Sequence, residues 1–175
     1  LSSGLYEEPL VRSAVVCKLH GTTSDIVPIQ WDMTRPLEPV CNGKVMEMLY
    51  FESDEGRHVF WHSSAHILGQ ALERKYGGGL LSVGPPTDQD FFYDIKLPDG
   101  VIISASDFSE IEKLCEKFAK ESQPFVRLEL TREQAKEVFA YNKYKLGIIE
   151  KTPENEMITS YRCGNLIDLC RGPHI

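Results

Sequence analysis

Residues 52–79 constrain the fold more than any other stretch. Trp61, Ala65, Leu68 and Leu72 recur at i, i+4, i+7 and i+11, one face of an α-helix. Glu52-Ser53-Asp54-Glu55-Gly56 breaks the composition before this stripe, and Ser53 or Asp54 can accept from the first free backbone amides as an N-cap. Gly77-Gly78-Gly79 stops the helix, with Arg74 and Lys75 placed in the last turn against the negative end of its dipole. A helix with one apolar stripe has to bury that stripe in a core.

The segments around it read as short strands and further helices. Residues 12–19 alternate as a strand, residues 21–25 form a turn, residues 26–29 a short strand or bend, and residues 45–51 another strand. Residues 1–51 therefore form a small β-rich unit, too short to bury a large core alone. Beyond the helix, residues 80–83 and 91–97 read as strands. Pro98-Asp99-Gly100 turns the chain into a return strand over 101–104, making a hairpin. Asp107 with Glu110 fits a capping box for a second helix marked by Phe108, Ile111, Cys115 and Phe118. Residues 124–130 form a strand. Thr131 with Gln134 is a second capping box, opening a helix that runs to about Asn142. Residues 157–162 and 167–170 complete the strands. Tight turns between strands favour antiparallel pairing, so the fold class is α+β: an antiparallel sheet packed with helices.

Composition bounds the partners. No apolar run approaches the roughly 18 residues that span a bilayer, so no membrane partner is expected. Five cysteines, an odd number without tight spacing, argue against a disulfide framework and for a reducing, cytosolic setting. The net charge of −7 and pI of about 5.3 oppose a module that grips nucleic acid over its whole surface. A chain beginning at Leu1 without methionine reads as a trimmed fragment.

The densest chemical signal is His62-Ser63-Ser64-Ala65-His66, whose i, i+4 spacing places both imidazoles on one helix face. The second is Asp168-Leu169-Cys170-Arg171-Gly172-Pro173-His174, where Gly172 and Pro173 forbid an ordinary helix and bend the chain. Each piece alone also fits surface histidines or a structural cysteine at a linker. Together, His62, His66, Cys170 and His174 supply a ligand set competent for zinc. They equally supply, with Asp168, imidazoles and a carboxylate for ester hydrolysis, and spacing does not choose between these readings. Ser63 stands where a HExxH metalloprotease needs its glutamate, and Gly77-Gly78-Gly79 matches no phosphate-binding loop.

The string His62-Ser63-Ser64-Ala65-His66-Ile67-Leu68-Gly69, followed in order by Asp168 to His174, resembles the paired motifs of the threonyl-tRNA synthetase editing domain. Tyr144-Lys145 and Tyr161-Arg162-Cys163-Gly164 stand where that family has them, and the likeness runs from about residue 10 to the end. Ser64 and Trp61 resemble the eukaryotic cytosolic branch. Residues 15–51, with Trp31-Asp32-Met33-Thr34-Arg35-Pro36-Leu37, are similar to the later part of the TGS domain, a β-grasp-like module whose first strand and helix are absent here.

The resemblance implies a partial TGS domain over 1–51 and an editing domain over 52–175, of the second-additional-domain type shared by threonyl- and alanyl-tRNA synthetases. It implies hydrolysis of serine wrongly joined to threonine tRNA, because a threonine site discriminates against serine by one methyl group, worth only about 1–3 kcal/mol. His62 and Lys145, with His66, are implied as catalytic. Tyr161, Asp168, Cys170 and His174 would contact the substrate, Asp168 through its ammonium, with His66 and His174 completing the pocket. Arg171 and Arg162 would meet tRNA phosphate, or equally form surface salt bridges. Editing would need no cofactor; the alternatives are a zinc-dependent deacylase of the alanyl-tRNA synthetase type, with the metal at His62, His66, Cys170 and His174, and a non-catalytic tRNA-binding module, against which the net charge of −7 leans. ATP and zinc belong to an aminoacylation core that this chain does not contain. The implied partners are the serine-charged 3′ end of threonine tRNA and the remainder of the synthetase. The full-length enzyme would be a homodimer and this fragment a monomer, both cytoplasmic.

Overall fold

The computed structural model describes residues 13–21 and 27–175. Its architecture is α+β, with antiparallel sheets and helices. The chain divides into two compact units, one of Leu1–Ser63 with Gly172–Ile175 and one of Ser64–Arg171. The helix α1 (Asp54–Lys75) carries residues of both.

In the first unit, β1 (Val16–His20) is flanked by β2 (Ile29–Asp32) and β3 (Val45–Leu49), both antiparallel to it. As the central strand, β1 buries side chains on both faces, as alternation requires. Val16 packs with Leu49 and Val59, while Cys17 and Leu19 pack with Trp31. Lys18, on the Val16 face, pairs with Glu55 in the first turn of α1. Ser53 opens α1: its hydroxyl accepts from the Gly56 amide at 3.1 Å and donates to the Tyr50 carbonyl at 2.7 Å.

In the second unit, Ala65, Ala71 and Leu72 of α1, with Tyr76 just beyond its end, pack with Leu81, Tyr93, Ile111, Phe118 and Leu166. Leu81 belongs to β4 (Leu80–Leu81), which pairs with β5 (Ile95–Lys96). Ile111 and Phe118 come from α2 (Phe108–Lys120). An antiparallel sheet follows: β6 (Phe125–Leu130), β7 (Ile158–Cys163) and β8 (Leu166–Leu169), in that order. Between β6 and β7 the chain forms α3 (Arg132–Val138) and α4 (Lys143–Lys151). The strand β8 serves two cores. Leu166 packs against α1, while Ile167 and Leu169 pack with Ala135, Phe139 and Ile149 of the α3–α4 layer.

Several expectations need correction. The first strand starts at Val16, and Arg12 with residues 22–26 of the expected turn and bend lies outside the described residues. The strand expected over 26–29 is Ile29–Asp32, and the strands near 80 and 95 are two residues each. The 98–104 hairpin does not form. Ile95–Lys96 takes Leu80–Leu81 as its partner, and Val101, Ile102 and Ile103 are exposed, so a return strand has no apolar face to seat. The capping box sits one turn earlier than read: Asp107 accepts from the Ser104 amide at 2.9 Å and the Ser104 hydroxyl at 3.1 Å, closing a short 3-10 turn ahead of α2. The helix opened by Thr131 and Gln134 ends at Val138, and Asn142 is the cap of the next helix rather than the end of that one.

Candidate functional site

The chemistry of the second unit centres on Asp168 of β8, a buried carboxylate. Lys145 donates to its Oδ1 and the Tyr93 hydroxyl to its Oδ2. His66 Nε2 lies 3.8 Å from Oδ2. Lys145, Tyr93 and His66 are themselves buried. Such a group resists solvent because each charge is matched: removing one partner of a buried pair strands the other.

The sequence builds this group from separate devices. Asn142, wholly buried, caps α4 by accepting from the Tyr144 and Lys145 amides at 3.0 and 3.3 Å. Its Nδ2 donates to the Leu81 carbonyl at 2.7 Å, anchoring the start of α4 to β4. Lys145 thus springs from a fixed first turn. Tyr93 is held by two glycines: a Cβ on Gly69 would stand 2.7 Å from its ring, and one on Gly84 closer still. Only residues without a side chain let the ring lie there. Burial pushes the Tyr93 hydroxyl well above the usual tyrosine range, and the Asp168 charge adds to it, so the phenol stays protonated and donates. Glu73, two turns beyond His66 on α1, has its carboxyl raised by burial first and then by Asp168, with Lys145 opposing.

Tyr161 and Asp168 are cross-strand partners on β7 and β8, and Tyr161 is buried. Strand alternation puts the exposed Arg162 on the opposite face from Tyr161. Arg171 is exposed and paired with Glu156 at 3.3 Å. Cys170 is half-buried, its amide donating to the Thr159 carbonyl at 3.1 Å.

The first unit gathers a second polar cluster. His174, wholly buried, follows the cis Gly172–Pro173 bond. Its amide donates to Asp32 Oδ1 at 2.6 Å, its Nδ1 lies 3.1 Å from Ser63 Oγ, and its ring stacks on His62 at 4.4 Å between centroids. Ser63 Oγ also reaches the Val59 carbonyl at 2.9 Å. When that single hydroxyl proton goes to Val59, His174 Nδ1 is the donor and its Nε2 carries the lone pair.

The residues read from the sequence thus fall into two sets: His66, Lys145, Tyr161, Asp168 and Cys170 in the second unit, His62 and His174 in the first. Sequence reasoning missed Tyr93, Asn142, Ser63 and Asp32. Asn142 carried a usable signal, since a cap residue three positions before Lys145 announces a new helix. Tyr93 carried none, because its partner Asp168 is 75 residues away.

No family model matches the chain. Relatives do, and they are aminoacyl-tRNA synthetases. The probable threonine–tRNA ligase 1, cytoplasmic, of Dictyostelium discoideum is 50% identical over 166 residues, 95% of this chain and 22% of that protein. Threonine–tRNA ligase 1, cytoplasmic, of Homo sapiens is 49% identical over 95% of the chain and 21% of its own length. Threonine–tRNA ligase 2, cytoplasmic, of Mus musculus is 41% identical over the full chain and 20% of its own length. The chain is homologous to a segment of the cytoplasmic threonine–tRNA ligases, and it spans 20–22% of the length of these three relatives. No helix among the described residues is long and apolar enough to cross a membrane.

Proposed function

We propose that this chain is the editing region of a cytoplasmic threonine–tRNA ligase, preceded by a partial TGS domain, and that it hydrolyses serine esterified to threonine tRNA. The observation that carries the reading is the buried Lys145–Asp168–Tyr93 group, in a chain homologous to a segment of those ligases. Among the described residues of the second unit, Asp168 is the one buried carboxylate, the group an amino-acid ammonium requires. Lys145 holds Asp168 Oδ1 in its resting state. A substrate ammonium competes for that oxygen and frees the lysine amine, while the Tyr93 hydroxyl keeps the carboxylate in place. His62 and the released Lys145 position and activate water. The water oxygen bonds to the ester carbonyl carbon, the bond to the ribose oxygen breaks, and the water proton ends on that oxygen, giving free serine and tRNA. Tyr161 and Cys170 contact the aminoacyl group, and His66 and His174 support the catalytic imidazole and carboxylate. Arg171 and Arg162 are assigned to tRNA phosphate. The remainder of the synthetase supplies aminoacylation, ATP and dimerisation.

The second reading is a zinc-dependent deacylase using His62, His66, Cys170 and His174, favoured by the ligand chemistry of that set. Single-turnover release of serine from seryl-tRNA separates the two. The proposed reading expects full activity after chelation, and a rate lost on His62→Ala or Lys145→Ala. Loss on chelation with recovery on added zinc supports the second reading instead. Retained cleavage in both variants places the site elsewhere.

A further inference from the structure

Two residues of the first unit that the proposed reaction leaves unused converge on His174. Asp32 ends β2 and is 4% exposed, and its Oδ1 accepts from the His174 amide at 2.6 Å, across 142 residues of sequence. A carboxylate buried to that degree is costly unless its bonds are specific, and a bond of that length is of the short, charge-assisted kind. Ser63, also buried, offers one hydroxyl to three neighbours: the Val59 carbonyl at 2.9 Å, His174 Nδ1 at 3.1 Å and the Ile175 amide at 3.2 Å. The Val59 carbonyl only accepts and the Ile175 amide only donates. Sending the one hydroxyl proton to Val59, the nearer acceptor, leaves both oxygen lone pairs for Ile175 and for an N–H on His174 Nδ1, so that every group is used.

We propose that Asp32 and Ser63 are positioning residues for ester hydrolysis. Asp32 clamps the backbone of His174, and Ser63 fixes the Nδ1–H tautomer of its ring. The ring then stays stacked on His62, at 4.4 Å between centroids, with Nε2 kept as an acceptor; the opposite tautomer would turn that acceptor into a donor. The inference rests on the editing reading, in which His62 positions water and His174 supports it. It makes the β-rich unit part of the catalytic apparatus rather than a tether, because β2 holds the residue stacked on the catalytic imidazole.

The test joins two measurements on the intact chain. Long-range proton–nitrogen NMR of the histidine rings, at about pH 8 and so above the usual histidine range, reads the tautomer. Single-turnover serine release over a range of chain concentrations separates the maximal rate from half-saturation. The expected wild-type spectrum has His174 Nδ1 protonated and Nε2 bare. Ser63→Ala loses that preference and slows the maximal rate about tenfold, the size of one hydrogen bond, with half-saturation unchanged. Ser63→Thr, which keeps a hydroxyl, restores the tautomer and most of the rate. Asp32→Ala slows the maximal rate to a similar degree, and Asp32→Asn, which keeps an oxygen acceptor, recovers most of it. A bare Nδ1 in the wild type overturns the proposal even if every variant fails to fold. So does a fall in rate no larger than the unfolded fraction of each variant, read by circular dichroism. The NMR needs no substrate, so the two readings fail separately. A wild type with Nδ1 protonated that cleaves no seryl-tRNA sinks the editing reading and the positioning role with it, whereas one that cleaves with Nδ1 bare sinks this inference alone.

Discussion

At the scale of single residues, the account depends on how charge is held around Asp168. Lys145 and Tyr93 satisfy its two oxygens from different elements, so the variants separate two roles. Lys145→Ala leaves a buried carboxylate short of its cation and should lower the unfolding free energy by about 3–5 kcal/mol. Tyr93→Phe removes one neutral donor and should cost about 1–3 kcal/mol. His62 is half-buried and stacked on His174, so His62→Ala should slow serine release with a far smaller loss of stability. Urea unfolding measured beside single-turnover rates checks all three. A Lys145→Ala protein as stable as wild type would mean that the ion pair does not form in solution.

At the scale of elements, the caps decide where the site residues point. Asn142→Ala removes the cap of α4, about 1 kcal/mol, and leaves the buried Leu81 carbonyl without its donor, a further 1–3 or so. The expected total is about 2–4 kcal/mol by urea unfolding, with a reduced cleavage rate because Lys145 loses its anchor. Asp107 at the start of α2 gives a pH prediction. The Ser104 amide, and then Lys75, lower its carboxyl from the usual 3.8 to about 2. Its folded value is depressed, so the unfolded chain binds the proton more readily. Its contribution is present above about 3.8 and lost as pH falls through about 2. Asp107→Asn should remove that component from a plot of melting temperature against pH, and an unchanged acid limb would contradict it. These elements also show what was legible in the sequence. The α1 stripe, the Ser53 cap and the Thr131–Gln134 box are local, and local rules located them. The 98–104 hairpin failed because the true partner of β5 lies before it in the chain, and pairing choice is a tertiary matter. The imidazoles and Asp168 were visible as motifs. The glycine-bracketed Tyr93 was not, because its meaning depends on contacts across the second unit.

At the scale of the whole molecule, charge and selectivity are the measurable consequences. With 19 basic against 26 acidic residues, the chain should bind uncharged tRNA weakly and with a shallow salt dependence, since affinity scales with the phosphates neutralised. Tight, steeply salt-dependent binding to whole tRNA would contradict this. Selectivity has one handle, the β-methyl that distinguishes threonine from serine. A pocket that refuses the methyl sterically exploits the cost of overpacking, about 1–3 kcal/mol or more, which reverses the preference of a site that merely binds threonine better. The most direct test of the central claim is single-turnover hydrolysis of seryl- and threonyl-charged threonine tRNA by the same preparation of the chain. The account predicts rapid release of serine and a threonyl ester that decays no faster than in buffer. Equal cleavage of the two esters, or cleavage of neither, would contradict it.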